Sequence, residues 1–452
     1  MKKILKLIIA LSCIPFFSGT ALADTPAEYG RYNFAQQQDF ERLAFGFPQP
    51  IITIIPGYTN GSSYKPVVIL AGGYDPTKDY IGSMGAAATG DPGEDGSVVE
   101  GREPTSADIK DRHTDRVGNA IYFVDAMTGD LVARVIGDTS LPSAAEDSFS
   151  NQIVSDDMKH SIAATITPVD SQGDGITDRI YFIDIIGNIF RLDLIPAAGD
   201  SFSISDWNLN MIASLGTDGV TGEYIANDRR FFHQIDVVRT RRPDGKNADA
   251  LMVGSGNIAL PKQTVAQGHN AFYMIYDYYT APASKTVLDV ETPIKITDLV
   301  DASDKNANEV EGKIKAATGA KHGWYLPLLE ANEKVVSAST TVDSTVYFTT
   351  IVAGPDDVGC QAPASLPSSH IYGLNIHNAS AAYVAVINGM SQTPVQRGDI
   401  TQGRLAFQQI EPFVADGGEV SLILPDKKET LKSGAEDRKL EGGSSYWRTI
   451  DQ

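Results

Sequence analysis

The chain has 452 residues, with 57 Asp and Glu against 37 Lys and Arg, and its formal net charge is −20 at pH 7. This acidic balance argues against a nucleic-acid partner, because nucleic-acid binding calls for a basic surface. With 2 cysteines and 42% hydrophobic residues, the fold must be stabilised by core burial or metal rather than by a disulfide framework.

The chain begins with a predicted secretory signal peptide, residues 1–23. Lys2, Lys3 and Lys6 precede an apolar run, and Ala21–Ala23 has the small residues of a cleavage site. The run is too short for a membrane span. We therefore expect an exported mature protein without a transmembrane segment, with one cysteine, Cys360, and a net charge of −23 after the three lysines are lost.

Short β-branched and aromatic segments recur along the rest of the chain, several of them ending in glycine or polar turns. The predicted strands are 66–71, 121–125, 180–184, 189–193, 250–253, 272–277, 346–350 and 371–375. Repeated short strands are typical of β-propellers, whose blades are small antiparallel sheets. We predict one all-β, quinoprotein-like β-propeller of five to seven blades over residues 24–452, with a β-sandwich as the alternative.

Long polar insertions separate several of these strands. Residues 75–115, 138–157 and 301–317 are poor in apolar side chains, and the last of them is predicted to contain a short helix around 309–317. Loops of this length in a compact domain are usually functional or mobile. Near the end of the chain, Tyr446–Arg448 is predicted to dock as a closing strand.

The segment Asp170–Asp178 has the spacing of a calcium-binding loop. Asp170, Gln172, Asp174 and Asp178 stand at positions one, three, five and nine, with Gly175 at the sixth position and the Ile176 carbonyl at the seventh. Calcium takes six to eight oxygen ligands, and a glycine at the sixth position permits the sharp turn. These residues therefore predict a Ca²⁺ site, and the alternative is an Asp/Gly-rich turn that binds nothing.

The loop differs from an EF-hand on its C-terminal side. Tyr181 stands at position twelve, where an EF-hand carries a bidentate Glu, and residues 179–184 have a strand pattern rather than a helical one. We therefore predict a calcium loop that leads into a β-strand.

Several segments together resemble the C-terminal β-propeller of PilC/PilY proteins. The matching segments are Pro66–Asp75, Gly118–Gly129, Asp170–Leu194, Val253–Asn257, Gly323–Leu326, Val346–Thr350 with Cys360, and Tyr446–Arg448. The resemblance implies a calcium-binding factor of type IV pilus biogenesis at the pilus tip or outer membrane, which regulates extension, retraction and attachment. It also implies the ligands Asp170, Gln172, Asp174, Ile176 (backbone) and Asp178.

The same resemblance implies minor pilins or a pilus-tip complex as partners, or a host or surface receptor. Two features depart from the family pattern. Gln172 replaces the usual Asp or Asn at position three, which predicts weaker affinity for calcium. The family's large N-terminal region has no counterpart here, which indicates either a minimal variant or a truncated gene.

The sequence favours a non-enzymatic protein. It has no His-Glu-x-x-His, no Gly-x-Ser-x-Gly and no phosphate-binding Gly-x-x-x-x-Gly-Lys, and its 7 histidines lack zinc-site spacing. One alternative is a quinone-dependent dehydrogenase propeller, whose repeats resemble the Asp-Ala-x-Thr-Gly turn at 125–129. Such enzymes commonly hold their quinone under a disulfide between adjacent cysteines, so the single mature cysteine argues against this alternative. The other alternative is a surface adhesin without a role in assembly.

Overall fold

The structure is a computed structural model dominated by β-strands. It describes residues 40, 42–46, 48–74, 117–137, 149–197, 201–216, 229–259, 265–278, 292–316, 318–352, 368–381, 386–387, 390–391, 397–400, 411–414, 420–424 and 427–431, with side chains up to residue 381. The predicted signal peptide, Cys360 and the predicted closing strand Tyr446–Arg448 lie outside these ranges, as does the whole of 75–115.

Within these ranges, the strands form four sheets of four or more strands. Sheet 1 has the order β1 (Ile51–Asn60), β2 (Ser63–Ala71), β3 (Ala120–Asp125), β4 (Leu131–Gly137), β5 (Gln152–Ser155). Sheet 2 has the order β13-β9-β8-β7-β6 and contains β6 (Thr167–Val169), β7 (Arg179–Ile183), β8 (Asn188–Asp193), β9 (Asn208–Ser214) and β13 (Ile294–Lys295).

Sheet 3 has the order β10-β11-β12-β15-β14 and contains β10 (Asp236–Arg241), β11 (Asn247–Gly254), β12 (Ala271–Asp277), β14 (Val300–Asp301) and β15 (Gly323–Pro327). Sheet 4 contains β16 (Glu333–Val335), β17 (Thr340–Val342), β18 (Thr345–Val352), β19 (Ser368–Asn375) and β22 (Arg397–Ile400). Smaller sheets are β20 (Val386–Ile387) with β21 (Met390–Ser391), and β23 (Glu411–Val414), β24 (Val420–Leu424) and β25 (Lys427–Leu431).

These sheets have the strand order of propeller blades. In sheet 1 the strands β1 to β4 follow one another in antiparallel pairs, and short fifth strands join sheets 1, 2 and 3 in parallel. Small meanders repeated along a chain are the building unit of a propeller. The structure therefore confirms the predicted all-β, propeller-type fold class, and each of the eight predicted strand segments overlaps an observed strand.

The chain divides into two compact units, Met1–Ile185 with Ile189–Met211, and Ile186–Asn188 with Ile212–Gln452. The core of the first unit is formed by residues of β1 to β4, β7 and β8 together with Trp207, whose ring lies 4.8 Å from that of Phe123. Strands β3, β7 and β8 are buried along their whole length. Burial on both faces explains why β3 and β7 are nearly continuous apolar runs in the sequence rather than alternating ones.

The Asp125–Gly129 turn after β3 is capped by the Asp125 side chain. At the end of β3, Asp125 Oδ1 accepts hydrogen bonds from the backbone N–H groups of Met127 (2.8 Å) and Thr128 (3.0 Å). Gly129 comes next with φ +81°, a left-handed conformation that favours glycine. The Asp125 carboxylate also accepts a hydrogen bond of 2.6 Å from the Tyr58 hydroxyl, so the turn is fastened to β1.

The second unit has its own aromatic core and one α-helix among its described residues. The rings of Phe272 and Phe348 stack at 3.9 Å, and Trp324 is fully buried in the same cluster. The helix α1 (Ala307–Ile314) begins at an Asn306–Glu309 capping box. A helix was predicted around 309–317, and the observed helix starts two residues earlier because Asn306 caps its N-terminus. Within the described ranges, no helix has the length and apolar character needed to cross a membrane.

Candidate calcium loop

The predicted calcium loop forms the connection between two antiparallel strands of sheet 2. Strands β6 and β7 pair with Val169 opposite Arg179, so the residues 170–178 make a nine-residue hairpin loop. The Asp178 N–H donates to the Val169 carbonyl (3.1 Å) and the Asp178 carbonyl accepts from the Leu194 N–H (2.8 Å). The loop therefore leads directly into a buried strand, as predicted, and not into a helix.

Asp170 organises the backbone of this loop. Its Oδ1 accepts hydrogen bonds from the N–H groups of Gln172 (3.2 Å), Gly173 (2.6 Å) and Asp174 (3.2 Å). Its Oδ2 accepts one from the N–H of Gly175 (2.6 Å). The loop thus curls around the first carboxylate, which is the local conformation that Asp adopts in tight turns.

Two glycines make this curl possible. Gly173 has φ +77° and Gly175 has φ +86°, a region in which residues with a Cβ are strained. A Cβ at either position would meet nothing within 4 Å, so backbone conformation rather than crowding requires glycine here. The sequence prediction relied on Gly175 alone, and the structure adds Gly173 as a second turn residue.

The other two aspartates close the loop. Asp174 Oδ1 accepts from the Ile176 N–H at 2.9 Å. The Asp178 carboxylate accepts from the Ser171 N–H (3.1 Å) and the Ser171 hydroxyl (2.6 Å), which joins the two ends of the loop. Burial raises the pKa of the Asp178 carboxyl, and the Asp170 carboxylate adds to the rise, against the hydrogen bonds from Ser171 and the charge of Arg179.

Thr177 fastens the loop to β1. Its N–H donates to the Ile54 carbonyl at 2.9 Å, and its hydroxyl shares a hydrogen bond of 2.6 Å with the Thr53 hydroxyl. Thr53 and Thr177 are both 4% exposed. The sequence did not predict this link, because β1 was not among the predicted strands.

The five predicted ligands therefore lie in one short loop whose donor set consists of oxygens and includes three carboxylates, which suits calcium. Gln172 and Asp174 are exposed at its tip. In the part of the chain that the structure describes, no group of three or more His, Cys, Asp or Glu side chains is arranged to hold a metal ion. The carboxylates are instead engaged with loop N–H and hydroxyl groups, and the ligand set remains a prediction.

A buried ion-pair network on β7 and β8 adjoins the loop. The Nε atoms of Arg179 and Arg191 lie 2.7 Å and 2.9 Å from the two carboxylate oxygens of Asp193. All three residues are at most 3% exposed. The sequence signal was an arginine inside each of two apolar strands. Because Arg179 is the neighbour of Asp178, the network also fixes the point where the loop enters β7.

Comparison with known proteins supports the fold. The chain is similar to the crystal structure of the Pseudomonas aeruginosa PilY1 C-terminal domain, with a TM-score of 0.52 and 15% sequence identity over 88% of this chain and 74% of that chain. No family model matches the sequence, and no curated protein matches it. The similarity is one of fold, and it agrees with the propeller-type sheets described above.

Proposed function

We propose that the chain is an exported, non-enzymatic, calcium-binding component of type IV pilus biogenesis. In this proposal it acts at the pilus tip or outer membrane, where it regulates pilus extension, retraction and attachment. Its partners are minor pilins or a pilus-tip complex, or a host or surface receptor. The fold similarity to the PilY1 C-terminal domain and the absence of enzyme motifs in the sequence support this assignment.

The observation that carries the proposal is the loop Asp170–Asp178 on a hairpin of this fold. Its backbone is already curled by Asp170 and by two glycines with positive φ. Three aspartates in nine residues repel one another when ionised. Bound calcium would supply the positive charge that offsets this repulsion and would take oxygens from Asp170, Gln172, Asp174, Ile176 and Asp178.

Contacts with the surrounding residues hold the loop in one position on the surface of the fold. Asp178 ties the loop to Ser171 and precedes the buried strand β7, and Thr177 ties it to β1. A ligand that binds only the ordered loop stabilises that form by mass action. We propose that the calcium-loaded loop holds the surface that a pilus subunit or receptor contacts, and that calcium loss weakens the contact.

Calorimetric titration of the purified mature protein with calcium tests the site. We expect Asp174→Ala to abolish binding, because it removes an exposed carboxylate at position five. Asp156→Ala, which removes an exposed aspartate outside the loop, serves as the matched control and should bind like the unmodified protein. Unchanged calcium affinity in Asp174→Ala would refute the site.

Gene deletion tests the role in assembly. Loss of pili would support biogenesis, whereas normal pili with poor attachment would support an adhesin alone. Complementation with Asp174→Ala then connects the two experiments, because a calcium-dependent component should fail to restore the phenotype while Asp156→Ala restores it.

A further inference from the structure

We infer that the peptide group between Ile176 and Thr177, together with the Thr53–Thr177 hydroxyl pair, transmits calcium occupancy of the loop to β1. The inference rests on the proposed function and adds a regulated element to it. Calcium binding in the loop then orders an edge of sheet 1, so two sheets respond to one ion.

Thr177 lies between two predicted ligands. Ile176 contributes its carbonyl oxygen and Asp178 its carboxylate in the predicted set, so the backbone on both sides of Thr177 becomes fixed when an ion binds. Thr177 itself faces β1, where its N–H meets the Ile54 carbonyl at 2.9 Å and its hydroxyl meets that of Thr53 at 2.6 Å.

A single peptide group connects the predicted ion to β1. The carbonyl of Ile176 and the N–H of Thr177 belong to the same peptide unit, and the described chain contains no cis peptide bonds. In a planar trans peptide the carbonyl and the N–H point in opposite directions. Since the N–H of Thr177 points to β1, the Ile176 oxygen points away from β1, which leaves it free of that strand.

The coupling through this peptide group is electrostatic. A cation at the Ile176 oxygen polarises the peptide group, and hydrogen bonds in such a chain strengthen one another. The N–H of Thr177 then becomes a better donor to the Ile54 carbonyl. Conversely, the Ile54 carbonyl accepts a hydrogen bond from the Thr177 N–H and so polarises the same peptide group. This makes the Ile176 oxygen a better ligand, so the coupling is reciprocal.

Strand β1 is sensitive to this contact because of its place in sheet 1. β1 stands at the end of the strand order, and its pairing with β2 is interrupted by a register shift between Ile54 and Thr59. Within the interrupted part, the backbone at Gly57 packs closely against the chain at Ser201 and Phe202, because a Cβ at Gly57 would lie 2.5 Å from their backbone atoms. Thr177 binds Ile54, the last residue paired with β2 before this interruption.

Hydrogen exchange with and without calcium tests the coupling on the whole mature protein. We expect calcium to slow exchange in a peptide covering 51–60 as well as in one covering 170–178. Thr177→Val removes the hydroxyl pair but keeps the backbone N–H bond to Ile54. It should therefore reduce the calcium-dependent slowing in 51–60 and weaken calcium binding by at most about tenfold, the equivalent of one buried hydrogen bond. Thr177→Ser keeps the hydroxyl and should restore both effects.

Thr59→Val is the matched control, because Thr59 lies on the same strand and is exposed. It should leave the calcium response of both peptides unchanged. Thr53→Val removes the other hydroxyl of the pair and should reproduce Thr177→Val, so a folding defect in one variant does not decide the result.

The outcomes separate the inference from the proposed function. Calcium protection confined to 170–178 in the unmodified protein would leave the calcium site standing and overturn the coupling. Full protection of 51–60 in both valine variants would overturn the role of the Thr53–Thr177 hydroxyl pair in the coupling. No calcium effect on either peptide would overturn the proposed site and the inference together.

Discussion

The substitution Asp170→Asn separates the observed role of this side chain, as the organiser of the loop, from its proposed role as a calcium ligand. Its carboxylate accepts four backbone hydrogen bonds of 2.6 to 3.2 Å. Asparagine keeps one carbonyl oxygen that can accept from Gln172, Gly173 and Asp174. Its amide nitrogen then faces the N–H of Gly175, so one hydrogen bond is replaced by a contact between two donors.

The magnitude of the effect is set by these contacts. A typical net hydrogen bond contributes about 0.5–1.5 kcal/mol, and one to a charged group about 1.5–3 kcal/mol. The donor residues 172–175 are exposed, so solvent favours the lower end of the charged range. We expect about 1–2 kcal/mol less stability of the ordered loop, which lowers calcium affinity by at most about five- to thirtyfold before the missing ligand charge adds to the loss.

Two measurements on the Asp170→Asn variant distinguish the loop-organising role of Asp170 from its proposed role in calcium binding. Calorimetry gives calcium affinity, and hydrogen exchange of residues 170–178 without calcium gives the stability of the loop. Both should decline in Asp170→Asn, with affinity falling by more than the loop stability alone explains. The control Asp156→Asn makes the same charge change at an exposed position outside the loop and should alter neither. Undiminished calcium affinity beside a loosened loop would refute the assignment of Asp170 as a ligand.

Three further predictions concern stability. Asp193→Asn should lower the free energy of unfolding by about 3 kcal/mol or more, because Arg179 and Arg191 keep buried charges beside a weakened partner; an unchanged urea midpoint would contradict this. Burial raises the pKa of Asp236 to about 7. Above about pH 4, Asp236 therefore keeps a proton in the folded chain that it loses in the unfolded chain. The free energy of unfolding should consequently fall by up to about 4 kcal/mol as pH rises towards 7. In Asp236→Asn that part of the pH profile should be flat. Gly312→Ala on the exposed face of α1 should raise the free energy of unfolding by about 0.5–1 kcal/mol, since the added methyl meets nothing within 4 Å and alanine favours helix; a lower melting temperature would count against the helix.

The strands were predictable because propeller strands leave a strong local signal. β3 and β7 are buried on both faces and appear as apolar runs apart from Asp125 and Arg179 at their ends. β1 was missed although Ile51–Ile55 is rich in β-branched residues, because Pro56 and Gly57 interrupt the pattern. Its bend at a register shift accommodates both residues, which sequence periodicity alone does not indicate.

The candidate site was predictable only in its local part. The spacing of Asp170, Asp174 and Gly175 predicts a curled loop, and the structure has one. The contact between Thr53 and Thr177 joins residues 124 positions apart, so no short motif contains it. The capping of Asp178 by Ser171 depends on how the loop closes, which was also absent from the residue spacing.

The curl that Asp170 gives the loop also has a kinetic consequence. A loop that acquired its shape only with the ion would need a slow ordering step during association. Here four N–H groups already hold the backbone in its turn. Preorganisation of this kind lowers the entropic cost of association, so we expect differences in affinity among loop variants to reside mainly in the dissociation rate. Ion exchange at the proposed calcium site should then be fast, because the loop does not have to refold with each binding event.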